Sequence, residues 1–179
     1  MVDEPQMGTD GHGLKCHIRW MIRRDMAKVF EIEGESFDYP WPEKDFIRCL
    51  RQQNSIGMVA EHEDRVVGFM IYQLHKNSIR VLNFAVAADC RRRGVGNQMV
   101  AKLIRKLTPN NRTRIIIEVH ERDLHAQLFF RSNGFRAVSV LSEYCENTWE
   151  DAYLMEYPFA GPAAGVSGRS NSLSQEVQR

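Results

Sequence analysis

The sequence predicts an α/β domain, a sheet flanked by helices, and three observations predict it. Short runs alternate apolar and polar residues, as half-buried strands do. Longer stretches space their apolar residues three and four apart, as amphipathic helices do. Between them, Ile115-Ile116-Ile117 is an uninterrupted apolar run, which predicts a strand covered on both faces in a mixed or parallel sheet.

Taken in order, residues 15–22 read as a first strand with Cys16, Ile18, Trp20 and Ile22 alternating along it. Asp25 is placed to cap a helix running to about residue 36, with Met26, Val29 and Phe30 as its apolar stripe. Tyr39-Pro40-Trp41-Pro42 breaks that helix. Residues 43–53 then carry Phe46, Ile47 and Leu50 on one helical face. Strands follow at 57–62, 66–74 and 79–86, joined by hairpin turns at Glu63-Asp64-Arg65 and Lys76-Asn77-Ser78. A helix to about residue 107 buries Val95, Met99, Val100, Leu103, Ile104 and Leu107, and Thr108-Pro109-Asn110-Asn111 stops it. A strand at 114–119 is followed by a short helix at 123–133, capped by Asp123 and closed by Gly134. Two last strands fit 135–144 and 151–158. The order is β-α-α-β-β-β-α-β-α-β-β.

The chain of 179 residues suits one domain, expected at 14–159. The polar, Gly- and Ser-rich segments 1–13 and 160–179 are expected to be disordered. A net charge of +1 gives no global attraction to nucleic acid or to an anionic membrane. No apolar run approaches the roughly 20 residues that span a bilayer, and the acidic N-terminus does not read as a signal peptide. Cys16, Cys49, Cys90 and Cys145 are scattered, without metal-ligand spacing. They predict reduced thiols in a cytoplasmic protein, and no metal.

The chemistry concentrates in Val86-Ala-Ala-Asp-Cys-Arg-Arg-Arg-Gly-Val-Gly-Asn97. A buried strand ends, a basic turn with Gly94 and Gly96 follows, and a helix begins. A helix start offers unpaired N–H groups and partial positive charge, and glycines allow close approach. Arg91, Arg92 and Arg93 add cations, so the turn fits either a pyrophosphate or bulk solvent. It is neither a Walker loop nor G-x-G-x-x-G.

Arg91-Arg-Arg-Gly-Val-Gly96 resembles the Q/R-x-x-G-x-G/A motif of the Gcn5-related N-acetyltransferase (GNAT) superfamily, and the element order over residues 18–159 resembles its fold. The resemblance implies a mixed, mostly antiparallel sheet of about seven strands with four helices, and acetyl-CoA as co-substrate. It places the pyrophosphate on Arg91, Arg92, Arg93, Gly94, Val95, Gly96 and Asn97, and the pantetheine along Phe84, Ala85 and Val86. Ser36-Phe-Asp-Tyr-Pro-Trp-Pro-Glu-Lys-Asp-Phe46 is similar to the "PWSEKTF"-type segment of the RimI family, the ribosomal-protein-alanine N-acetyltransferases. Ile117-Glu118-Val119, Ser132-Asn-Gly-Phe135 and Glu150-Asp-Ala152 sit where that family has similar residues.

The resemblance implies roles residue by residue. Glu118 would be the base, acting through water, at the edge of the core where burial strengthens a carboxylate base. The residues alone read more readily as a strand-end carboxylate paired with an arginine such as Arg114. Tyr144 matches a tyrosine of the hairpin that covers the acceptor, and otherwise reads as a surface aromatic. Tyr39 and Trp41 would line the other wall of the acceptor groove, unless they are plain core packing. The chain departs from the family at Phe130, where a general-acid tyrosine is usual, and at Asp123, where an asparagine contacts the coenzyme. His120 reads as an auxiliary base or a solvated side chain. Arg112, Arg114 and Arg122 read as solvated charge or as partners of the coenzyme 3′-phosphate.

The implied acceptor is a protein N-terminus, with the N-terminal alanine of ribosomal protein S18 as the family's substrate. No direct nucleic-acid or membrane partner is expected, and the chain is expected to act as a monomer or weak dimer. Two alternatives stay open: a lysine or small-molecule amine as acceptor, or an acyl-CoA-binding module without catalysis.

Overall fold

The computed structural model describes residues 13–109, 111–142 and 150–159. Apart from Gly13, the two segments expected to be disordered lie outside these residues, as does Tyr144. The elements follow the predicted order: β1 His17–Trp20, α1 Met26–Ser36, α2 Glu43–Leu50, β2 Ser55–His62, β3 Arg65–Leu74, β4 Ser78–Val86, α3 Val95–Ile104, β5 Arg114–His120, α4 Leu124–Ser132, β6 Arg136–Leu141 and β7 Ala152–Pro158. The seven strands form one sheet in the order β1-β2-β3-β4-β5-β7-β6. Among the described strands, only β4 and β5 pair in parallel.

Two of the turns show how local sequence sets this order. Glu63 and Asp64 both take positive φ, at 49° and 59°, so β2 and β3 close through a two-residue hairpin of the twist that strands favour. Gly134, at φ +89°, ends the α4 segment in the left-handed conformation that suits glycine.

Cross-strand partners share a face, so the register sorts the side chains. Phe69 of β3 meets Phe46 of α2 at 5.8 Å between ring centroids, and Asn83 of β4 bonds Glu33 of α1. Helices α1 and α2 therefore cover that face. Met99 of α3 lies against Gly68 of β3, and Phe129 and Phe130 of α4 lie against Phe84 of β4. Helices α3 and α4 cover the opposite face.

Four expectations need correction. Trp20 is 73% exposed and Ile22 is also exposed, because β1 is an edge strand that stops at Trp20. The isoleucine run is not covered evenly on both faces. Ile115, Ile117 and Val119 are buried, whereas Ile116, Glu118 and His120 are only half-buried. Helices α2 and α3 end at Leu50 and Ile104, short of the predicted limits, and a turn carries Leu107 back into the core. Asp25 does not cap α1 with its side chain.

The Asp25 carboxylate is buried and points back towards β1. It accepts from Arg19 at 2.7 and 2.9 Å and from the Ile22 N–H at 2.8 Å. Arg19 also donates to Glu61 of β2 at 2.9 Å, so one guanidinium joins β1, β2 and the entry to α1. The Arg19 hydrogen bond holds the Asp25 carboxyl below the usual carboxylate range. A depressed folded-state pKa adds stability that is complete above the unfolded value, about 3.9, and is lost as pH falls through the folded one. Asp25→Asn should therefore cost about 1–3 kcal/mol at neutral pH. Chemical denaturation from pH 7 to pH 2 should show the gap to wild type closing below about pH 4.

Candidate active site

The site begins where β4 and β5 part. They pair from Ser78↔Arg114 to Val81↔Ile117 and no further. Residues 82–86 stay with β3 on one side, residues 118–120 stay with β7, and a wedge opens between them. A bulge assists: Ile71 faces Asn83 and Tyr72 faces Val81, which leaves Leu82 unopposed. An extra residue of this kind bends its strand and turns it from its neighbour. The backbone edge of Phe84, Ala85 and Val86 is thus left without a strand partner on the β5 side, where an extended amide-bearing ligand can pair.

The basic turn lies at the end of this edge. Gly94 has φ +78°, and no atom lies within 4 Å of where its Cβ would stand, so conformation rather than space demands glycine there. Helix α3 starts at Val95 with no side-chain cap, which leaves the first-turn N–H groups of Val95, Gly96 and Asn97 for an anion. The arginines divide their work. Arg91 donates to the Val86 carbonyl at 2.9 Å and to Ser36 Oγ at 2.8 Å, so it braces the turn against β4 and α1. Arg92 and Arg93 are exposed cations on the turn.

Gly96 also serves packing, a demand that the sequence does not show. It is buried, and a Cβ there would stand 2.9 Å from the Phe129 ring. Phe129 packs edge-on to Phe130, which also meets Phe84 and Phe135, at centroid distances of 5.0 to 5.9 Å. These rings wall the wedge on the α3–α4 side, and Phe130 is buried among them. Asp123 caps α4 by accepting from the Ala126 N–H at 2.9 Å, and Asn97 accepts from Asn133 at 3.1 Å.

Glu118 projects from the opposite face. Its neighbour Ile116 pairs with Arg80, Arg80 pairs with Gln73, and Gln73 bonds Gln52 just after α2. The register therefore puts Glu118 and His120 on the α1–α2 side of the sheet. The Glu118 side chain is 13% exposed, and its partner is Arg80 rather than Arg114, which bonds Glu156 at 3.4 Å. His120 stands 3.9 Å from Glu150, which also pairs with Arg122 at 2.7 Å.

The segment between α1 and α2 rims this face. Tyr39 is 70% exposed, whereas Trp41 is half-buried with its ring 5.5 Å from Phe46. The segment is held by Glu33, which is only 2% exposed. Glu33 Oε1 accepts from the Trp41 N–H at 2.8 Å, and Oε2 accepts from Asn83 Nδ2 at 3.0 Å. Burial pushes the Glu33 carboxyl above its ordinary pKa, and the two hydrogen bonds oppose that rise. A groove of about 410 Å³ between α4 and the β6–β7 edge lies on the other face, beside Tyr153 and Met155, and is separate from this arrangement.

The wedge, the uncapped helix and the carboxylate behind them suit acyl transfer, and comparison with known proteins fixes the family. The acetyltransferase (GNAT) family model matches residues 26–135. The chain belongs to the GNAT family. It is 30% identical over 140 residues to an uncharacterised N-acetyltransferase of Methanocaldococcus jannaschii, covering 77% of this chain and 88% of that one. It is 26% identical over 138 residues to the [ribosomal protein bS18]-alanine N-acetyltransferase of Salmonella typhimurium, covering 76% of this chain and 93% of that one. The ribosomal-protein-S18-alanine N-acetyltransferase of Escherichia coli has the same fold, with a TM-score of 0.73 at 22% identity, over 85% of this chain and 99% of that one. In this GNAT chain, no group of His, Cys, Asp and Glu able to hold a metal occurs among the described residues. No described helix is long and apolar enough to cross a membrane.

Four residues of the site escaped the sequence reading: Glu33, Asn83, Arg80 and Gln98. Glu33 carried a signal, since it continues the stripe of Met26, Val29 and Phe30 at helical spacing, where an apolar residue is expected. Gln98 ties the chain ahead of β1 to the turn by bonding Cys16 N at 3.0 Å and the Leu14 carbonyl at 2.6 Å.

Gly94→Ala should cost about 1–2 kcal/mol in backbone strain and weaken acetyl-CoA binding measured by calorimetry, while Arg80→Ala leaves that binding unchanged. Glu118→Gln should lower kcat by about 10²–10⁴-fold with acetyl-CoA affinity nearly intact. Unchanged turnover would remove Glu118 from the mechanism.

Proposed function

We propose that this chain transfers the acetyl group of acetyl-CoA to the N-terminal α-amine of a protein. The observation that carries the reading is the parting of β4 and β5, with the uncapped start of α3 at one end and Glu118 on the α1–α2 face. The Salmonella relative, a [ribosomal protein bS18]-alanine N-acetyltransferase, supports it, as does the acceptor-side segment around Trp41. The N-terminal alanine of a ribosomal protein is the first acceptor to test.

The residues divide the work. The N–H groups of Val95, Gly96 and Asn97, with Arg92 and Arg93, neutralise the diphosphate, and the edge of Phe84, Ala85 and Val86 that β5 leaves open aligns the pantetheine. Asp123 and Phe130 belong to the α4 segment, on the side of the sheet that this path follows. Acetyl-CoA supplies the activated thioester. Glu118, through water, takes the proton that the amine must shed as it attacks. An α-amine, with a reference pKa of about 7.7–8.0, carries a substantial neutral fraction near physiological pH, whereas lysine at about 10.4 does not. A mild carboxylate base therefore suits an N-terminus. Tyr39, Trp41 and Tyr144 contact the acceptor in this reading.

Phe130 cannot protonate the departing thiolate. With a reference pKa of about 8.5, a thiolate leaves tolerably without that help. Phe130→Tyr should preserve or raise kcat, and a large loss would show that the aromatic wall is built for another purpose.

The reading is tested by incubating protein, acetyl-CoA and an Ala-starting peptide that also contains an internal lysine. Tandem mass spectrometry should find one acetyl group, on the α-amine, and none on a copy with a blocked N-terminus. Acetylation confined to the lysine would favour a different acceptor. Coenzyme binding without any mass gain would favour a non-catalytic module.

A further inference from the structure

Resting on that reading, we infer that Asn83 contacts the attacking amine and that Glu33 is the positioning residue that orients it. Asn83 is buried on β4 beyond the last β4–β5 pair, next to Phe84 and on the face that carries Glu118. Its Nδ2 donates to Glu33 Oε2 at 3.0 Å. Its Oδ1 is buried and has no hydrogen-bond partner among the described residues. A buried amide oxygen left unpaired is costly, so a structure that keeps one beside its reaction site points to a donor that arrives with a ligand.

The chemistry selects which donor. An attacking primary amine directs its lone pair at the thioester carbon and carries two N–H groups. As the C–N bond forms, the nitrogen becomes positively charged. One proton passes to Glu118 through water, the C–S bond breaks, and the thiolate leaves with the electron pair. The other N–H survives as the N–H of the product amide. It needs an acceptor throughout, and that acceptor fixes the direction of the lone pair. Asn83 Oδ1 is such an acceptor. The pantetheine amides have the backbone edge of residues 84–86 that β5 leaves open instead.

Glu33 sets which end of the Asn83 amide is offered. A carboxylate only accepts hydrogen bonds, so it draws Nδ2 and leaves Oδ1 for the amine. Its other oxygen holds the Trp41 N–H at 2.8 Å, so the same side chain fixes the acceptor wall. Glu33→Gln keeps the shape but reverses this logic. The introduced glutamine can still accept from the Trp41 N–H, and its amide nitrogen then meets Asn83. The Asn83 amide must turn over and present Nδ2 where Oδ1 stood.

The test measures kcat and KM for the Ala-starting peptide and for acetyl-CoA in wild type, Glu33→Gln and the double variant Glu33→Gln with Asn83→Asp. Glu33→Gln should lower kcat/KM for the peptide about 10- to 100-fold, with KM for acetyl-CoA within about twofold. The double variant should recover most of the loss, because the introduced glutamine donates to one oxygen of the introduced aspartate and the other oxygen accepts from the amine. Should Glu33→Gln fail to fold, Asn83→Ala should show the same split between peptide and acetyl-CoA. Wild-type activity with an unaffected Glu33→Gln, an equal loss towards both substrates, or no recovery in the double variant overturns the proposal. A wild type that leaves every free N-terminus unmodified overturns the acceptor reading itself, and this proposal with it.

Discussion

Strands β4 and β5 run side by side for four residue pairs and then part, and the working half of the molecule depends on that loss of pairing. Parallel strands bond along their whole length unless something turns one away. Here the bulge at Leu82 turns β4, while β5 keeps seven pairs with β7 and cannot follow. The parting leaves the edge of Phe84, Ala85 and Val86 without a strand partner on that side, where a ligand with its own amides can pair. In the proposed function the same geometry brings two chemistries to one thioester. N–H groups without a side-chain cap stand at the start of α3, and a carboxylate stands on the α1–α2 face.

The parts that were legible in the sequence are those whose causes are local. Hairpin turns, the start of α3 after Gly94, the Asp123 cap and the Gly134 stop depend on residues a few positions apart, and they form where the sequence puts them. The basic turn was legible for the same reason, although the sequence does not distinguish Arg91, which braces the turn, from Arg92 and Arg93.

What was not legible depends on pairing at a distance. Glu33 and Asn83 are 50 residues apart, and Arg80 and Glu118 are 38 apart. A carboxylate at a helix position that should be apolar is visible in the sequence, but its partner is not. Trp20 misled for a related reason: alternation predicts which residues share a face, not whether anything covers it. Asp25 sits at the helix start as expected, yet a nearby arginine on β1 competes successfully for its carboxylate.

Glu33 also shows how the site draws on the stability of the fold. Its carboxyl is raised above its ordinary value by burial, so the folded state holds the proton more tightly than the unfolded one. The stabilisation linked to that proton is present below the unfolded value, about 4.3, and is lost as pH rises through the folded one. Once ionised, the buried carboxylate is retained at a cost, as is common where residues serve function rather than packing.

A crystal structure with a conjugate of coenzyme A and an Ala-starting peptide tests the account most directly. The account predicts diphosphate oxygens within about 3 Å of the N–H groups of residues 95–97, the pantetheine against residues 84–86, and the peptide amide on the Glu118 face. A conjugate seated instead in the groove between α4 and β6, or a turn whose N–H groups are directed away from the phosphates, would contradict it.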